Sequence, residues 1–152
     1  MSKDNNKSFI VRKVELKEYL QSLRVRELLE AEAASMSLGY ISLTEIEIAR
    51  TNLQIVQSQS PYDMISHWRS DDEVHKLFIS KCGNDTMINI LNSLRTTTKL
   101  FEIEKLSERL EPDSQQHELI LDALIKQDEK ATKRAVATHI KSLFQFAVRT
   151  VG

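Results

Sequence analysis

The sequence predicts an all-α protein, an antiparallel helical bundle of about six to seven helices. Three observations carry that expectation. The 152 residues include only three glycines and two prolines, which favours long helices joined by short turns. Apolar residues recur at spacings of three and four along most of the chain, the period of a helix with one buried face. Good helix-capping residues, among them Ser42, Asn84 and Asp128, stand just ahead of such stretches.

The elements follow in order. Met1 to Lys7 is polar, and Ser8-Phe9-Ile10-Val11 is the one strand-like run, too short to pair with anything nearby. Residues 1–13 are therefore expected to be a polar tail and the remnant of a preceding domain or linker, with the helical domain over 14–150. The first helix is expected from about Val14 to Leu38, through Leu16, Leu20, Leu23, Leu28 and Leu29, with Gly39 at its C-cap. Ser42-Leu43-Thr44-Glu45 matches the capping box, and Ile46, Ala49, Leu53 and Val56 follow it. A third helix is expected to start near Pro61, with Trp68, Val74, Leu77 and Phe78 on its apolar face. It runs out at Gly83, and Ser70-Asp71-Asp72 is a point where it could kink or restart. Asn84 or Asp85 then caps a fourth helix reaching about Leu106, and Ser107 to Asp113 reads as a polar connection containing Pro112. The stretch from His117 to His139 closes the chain as a helical hairpin turning near Asp128, with its last helix ending at Phe146 or Val148.

Charge and composition exclude several functions. Lys and Arg number 21 against 22 Asp and Glu, so the basic excess of a domain that holds nucleic acid by itself is missing. The single cysteine, Cys82, rules out an internal disulfide and suits a reducing cytoplasm. No signal peptide, membrane-length apolar run, phosphate-binding glycine loop, Walker lysine or nucleophile elbow is present.

The chemistry concentrates in the histidines. Asp71 and His75 are four residues apart, which on a helix sets a carboxylate and an imidazole on one face, one turn apart. A straight helix would hold His117 and His139 roughly 33 Å apart at 1.5 Å per residue, whereas a hairpin lets them face each other. The four residues together offer three nitrogens and one oxygen, a set suited to zinc, nickel, cobalt, iron or manganese. The structural alternatives stand beside this reading: Asp71 as the cap of a restarted helix, and His117 solvated in a first turn. His67, one turn before Asp71, reads as a surface residue or a supporting neighbour of the site. Arg24 and Arg26 read as snorkelled surface groups, unless one turns inward as a carboxylate anchor. Cys82 reads as a small buried hydrophobe.

A family pattern runs through these residues. Val25-Arg26-x-x-Leu29-Glu30, Asp71-x-x-x-His75, Cys82-Gly83-Asn84 and His117-x-x-Ile120-x-x-Ala123-Leu124, followed by Asp128, Ala131 and His139, stand in that order. From about Glu15 to Val148 the chain resembles the all-helical effector (FCD) domain of FadR-subfamily GntR transcription regulators. The resemblance implies a bundle that senses a small molecule, commonly a carboxylic acid, around a divalent metal. It implies Asp71, His75, His117 and His139 as ligands, zinc or nickel as the favoured ion, and an inward-facing Arg26 that anchors the carboxylate. Asn84 is open between an effector contact and a helix cap. A homodimer in the cytoplasm is expected, with DNA reached only through a winged-helix domain. Two departures are visible. Val74 stands where the family usually has phenylalanine, and the winged helix does not precede this region. Because Ser8-Phe9-Ile10-Val11 resembles the last strand of such a wing, the chain is expected to be a fragment of a longer regulator. The expected role is sensing without catalysis. The rival readings are a metal-dependent enzyme using the same site and a metal-free helical interaction module.

Overall fold

A computed structural model describes residues 13–151, and the strand-like run at Ser8–Val11 and the polar tail before it lie outside them. The described chain forms six α-helices and no strand: α1 (Leu16–Met36), α2 (Leu43–Ser58), α3 (Met64–Ile79), α4 (Asp85–Lys105), α5 (Leu110–Lys126) and α6 (Glu129–Thr150). Among the described residues, no helix is long and apolar enough to cross a membrane. The longest side-by-side packing joins α1 to α6; α5 lies against both α6 and α2, and α4 and α3 close the bundle.

Local chemistry sets the helix ends. Ser42 and Glu45 form the reciprocal capping box at the start of α2, worth about 1 kcal/mol relative to an alanine cap. Asn84 and Asp128 each accept a backbone N–H of the first turn, from Met87 and Ala131 respectively. The α5–α6 hairpin turns on Gln127, whose φ of 54° is left-handed, and Asp128 starts the next helix immediately. Gly83, at φ 78°, ends the turn after α3 in a conformation that costs a side-chain-bearing residue more.

Three expectations change. Helix α3 does not break at Ser70-Asp71-Asp72. An Asp or Ser interrupts a helix by bonding its own backbone. Here Ser70 and Asp71 point into the core, and Arg95 and Lys99 take the carboxylates of Asp71 and Asp72. The stretch from Ser107 to Asp113 is helical, a 3-10 turn at Ser107–Arg109 running into α5. Pro112 is tolerated there because first-turn N–H groups have no intrahelical acceptor to lose. Last, α6 runs on to Thr150.

The interior has two apolar halves. One gathers Ala33, Ala34, Ile46, Leu53, Phe78 and Leu124 with their neighbours; the other gathers Tyr19, Leu23, Trp68, Phe101, Ile140 and Leu143. Helix α1 shows what divides them. Its buried stripe reads Tyr19, Leu23, Arg26, Glu30, Ala33 and Ala34, so an ion pair interrupts the apolar row midway. Helix α4 and its C-cap residue repeat the pattern with Leu91, Arg95, Thr98, Glu102 and Leu106. A polar layer thus crosses the middle of the bundle. Buried charge of this kind is retained only where partners satisfy it.

Candidate metal centre

Four side chains from three helices meet in that layer. Asp71 and His75 lie one turn apart on α3, His117 comes from α5 and His139 from α6, and all are buried. Their donor atoms lie within 4.8 Å of one another. Asp71 Oδ1 is 3.4 Å from Nε2 of His75 and 3.4 Å from Nε2 of His117. His117 Nε2 and His139 Nε2 are 3.2 Å apart. Adjacent ligands about 2.1 Å from one ion would be roughly 3.0–3.4 Å apart, depending on the coordination number. The sequence-expected set is therefore together, and three of its donor pairs have the spacing of neighbouring ligands on one small cation.

Neighbours fix which ring nitrogens are available. Glu30 from α1 accepts from His75 Nδ1 at 2.5 Å, and its carboxylate can only accept. The proton of neutral His75 is thereby placed on Nδ1. Its Nε2, buried among the other ligands, has no hydrogen-bond partner. An orphaned acceptor of this kind is costly in an apolar interior, and a cation satisfies it. Gln116 performs the same service for His139. Arg109 Nη2 donates to Gln116 Oε1, and Gln116 Nε2 donates to Ser142 Oγ, which fixes the amide's orientation. The same Oε1 then accepts from His139 Nδ1 at 2.6 Å, leaving Nε2 as a lone pair toward the site. In two of the three imidazoles the fold occupies Nδ1 and so presents Nε2 to the site, and the donor set fits a divalent cation.

The surrounding charges favour the ionised aspartate. Burial alone would raise the Asp71 carboxyl, but Lys99, His75 and Arg95 outweigh it and hold it well below the usual carboxylate range. Burial lowers His139 strongly, and the neighbouring His117 and His75 lower it further, so it stays neutral. Burial and Arg95 push His75 down, yet Glu30 and Asp71 more than offset them, and without a metal its imidazolium is favoured.

The remaining expected residues sit differently. Arg26 does face inward, 1% exposed. Two carboxylates of the chain itself hold it: Nε is 2.6 Å from Glu30 and Nη1 is 3.2 Å from Glu102. Asn84 is exposed and spends its side-chain oxygen on the N-cap of α4. His67 is not a surface residue. It is buried, stacked on Trp68, and bonded to Tyr62 and Asp113. Asp113 in turn accepts from Arg109, which places His67 at the end of the network that orients His139. Arg24 lies at the surface over the Phe144 ring, and Cys82 is buried.

Sequence reasoning missed Arg95, Lys99, Glu102 and Gln116, and gave Glu30 no role in the site beyond its place in the family pattern. A signal for the α4 residues existed: Arg95, Thr98 and Glu102 continue at helical spacing the buried row that Leu91 begins and Leu106 ends. Gln116 gave none, because its partners lie 7, 23 and 26 residues away.

The family model described as the FCD domain matches residues 21–142, most of the chain. No curated protein matches it.

Proposed function

The chain belongs to the FCD-domain family, and from that premise we propose a ligand-sensing effector domain of the metal-binding, FadR-subfamily GntR type. The carrying observation is the convergence of Asp71, His75, His117 and His139, with the tautomers of His75 and His139 set by Glu30 and Gln116. A divalent ion, zinc or nickel by donor preference, would be held by these four and would act as a Lewis-acidic anchor.

The effector of this reading is a small carboxylate. Four carboxylates, Glu30, Asp71, Asp72 and Glu102, interlock with three cations, Arg26, Arg95 and Lys99. With neutral imidazoles the set has one excess negative charge, and a divalent ion leaves it with one positive charge, which an anion would balance. Arg26 remains the candidate anchor, by exchanging its Glu102 contact for the effector's carboxylate. Asn84 is the weaker candidate, because its oxygen already caps α4. Effector binding would bias a homodimer in the cytoplasm, and winged-helix domains would carry that bias to DNA. An enzyme using this site would need a free general base, and the nearest carboxylate, Glu30, is engaged by Arg26 and His75. A turnover screen on metal-loaded protein separates that rival.

The test is metal dependence. Ligation only in the folded state raises stability by mass action. Purified protein is expected to contain about one equivalent of divalent metal, to melt lower after chelation, and to lose that difference in His117→Ala. Absence of metal, with no thermal shift on adding zinc or nickel, would refute the metal centre. A panel of small acids titrated against loaded and stripped protein then tests the carboxylate; binding indifferent to the metal would rule out direct ligation.

A further inference from the structure

Asp71 has two faces, and a cavity opens toward the second. Its Oδ1 belongs to the ligand cluster, while Oδ2 accepts from Arg95 Nη2 at 2.9 Å and from Lys99 Nζ at 3.1 Å. Arg95 and Lys99 are also part of the wall of a cavity of about 630 Å³ between α3 and α4. Asp72, Lys76, Leu100 and Ile103 line it as well. The cations that hold a metal ligand on one side therefore border solvent-filled space on the other.

The lining is suited to an anion with an apolar body. It carries three cations and one carboxylate. That carboxylate, Asp72, sits 2.8 Å from both Arg95 Nη2 and Lys99 Nζ with its side chain 38% exposed, so these two cations already accommodate a carboxylate at the cavity wall. Lys76 at the rim makes no ion pair among the described residues. Arg95, 4% exposed, bonds through Nη2, while its buried Nη1 has no hydrogen bond and lies 3.9 Å from the nearest carboxylate, on Glu30. Leu100 and Ile103 offer hydrocarbon beside these charges.

We infer that the α3–α4 cavity is a second ligand site, taking an aliphatic carboxylate on Lys76, Lys99 and Arg95, and that it is positively coupled to the metal centre. The coupling has a physical route. A carboxylate in the cavity draws Lys99 and Arg95 away from Asp71 Oδ2. Asp71 is then less neutralised and becomes a stronger ligand through Oδ1. The metal reciprocates, because its charge makes the network next to the cavity net positive. Linkage requires the two effects to be equal. The inference rests on the metal reading above but not on an effector bound to the metal.

Hexanoate is the probe, with hexanamide as its uncharged control, titrated calorimetrically against the full chain loaded with cobalt(II) or stripped of metal. Hexanoate is expected to bind loaded protein at least about fivefold tighter than stripped protein, and to tighten cobalt by the same factor in chelator competition. Lys76→Glu, at an exposed rim position, and Leu100→Trp, which fills the cavity, are each expected to abolish binding. The cobalt d–d bands should keep their wavelengths, since the acid does not ligate the ion. Hexanoate that binds both variants normally and shifts the d–d bands sits on the metal, which overturns this inference and supports the direct-ligation reading. No hexanoate binding, or equal binding of hexanamide, overturns it and leaves the metal centre intact. Failure of cobalt itself to bind removes both.

Discussion

Nδ1 of His139 donates to Oε1 of Gln116 at 2.6 Å, and Arg109 fixes the acceptor by donating to the same oxygen. A candidate ligand on α6 thus takes its ring orientation and tautomer from α5. Gln116→Leu leaves all four candidate ligands in place and removes this support together with the Arg109 and Ser142 contacts of the same amide. Metal affinity is expected to fall about 10–100-fold, as for other supporting partners of ligating histidines. Gln116→Glu, which keeps an acceptor, should retain more of it. Chelator competition at fixed pH measures both, and equal loss in the two variants would exclude the tautomer role.

Arg26, Glu30 and Glu102 form a buried set in which each charge depends on the others. Removing one member strands charge in the core at a cost of about 3–5 kcal/mol. Arg26→Ala is therefore expected to cost several times more than Arg24→Ala, whose guanidinium is exposed above Phe144. Urea unfolding in the presence of chelator gives the comparison. A loss below about 1 kcal/mol for Arg26→Ala would mean that the pairing with Glu30 and Glu102 contributes little.

Acid acts on this layer in two ranges. Asp71 and Glu30 titrate below the usual carboxylate range, so both bind protons more weakly folded than unfolded. Their contribution is present above the ordinary value near pH 4 and is lost as the pH falls below it. Asp71→Asn removes one of the two and is expected to show a shallower loss of stability between about pH 4 and pH 2 than the parent chain. Denaturant midpoints across that range decide it; parallel curves would contradict the depressed Asp71.

The histidines pull in opposite directions without metal. His139 titrates below its ordinary 6.5, so its contribution is present above that value and is lost as the pH falls. His75 titrates above 6.5, so its contribution is present below that value and is lost as the pH rises through the folded pKa. In chelator, His139→Gln is expected to lose less stability than the parent chain between about pH 7.5 and pH 5.5. With zinc added, protons compete with metal for the imidazoles, so the thermal shift should shrink with acid. A zinc shift of constant size over that range would argue against imidazole ligation.

The helices were legible because their causes are local. Ser42 with Glu45, Asn84 and Asp128 cap helices whatever lies beside them, and the apolar period of α2, Ile46, Ala49, Leu53 and Val56, announces its buried face. The cluster was legible as residue types: Asp71 with His75 by helical spacing, and His117 with His139 through the hairpin that Asp128 marks.

Tertiary structure decided what those residues face. Periodicity locates a buried stripe but does not distinguish an Arg in the core from one on the surface, since a guanidinium is buried only where the assembled fold brings partners to it. Arg26 meets Glu102 from 76 residues away, and Asp71 meets Arg95 from 24. Packing of α1, α3 and α4 creates those encounters, so it alone kept α3 unbroken at Asp71. The tautomer of His139 was likewise settled across the α5–α6 hairpin, by a glutamine whose orientation an arginine controls. Charge satisfaction in a low-dielectric interior is a property of the assembled bundle, and no window of sequence contains it.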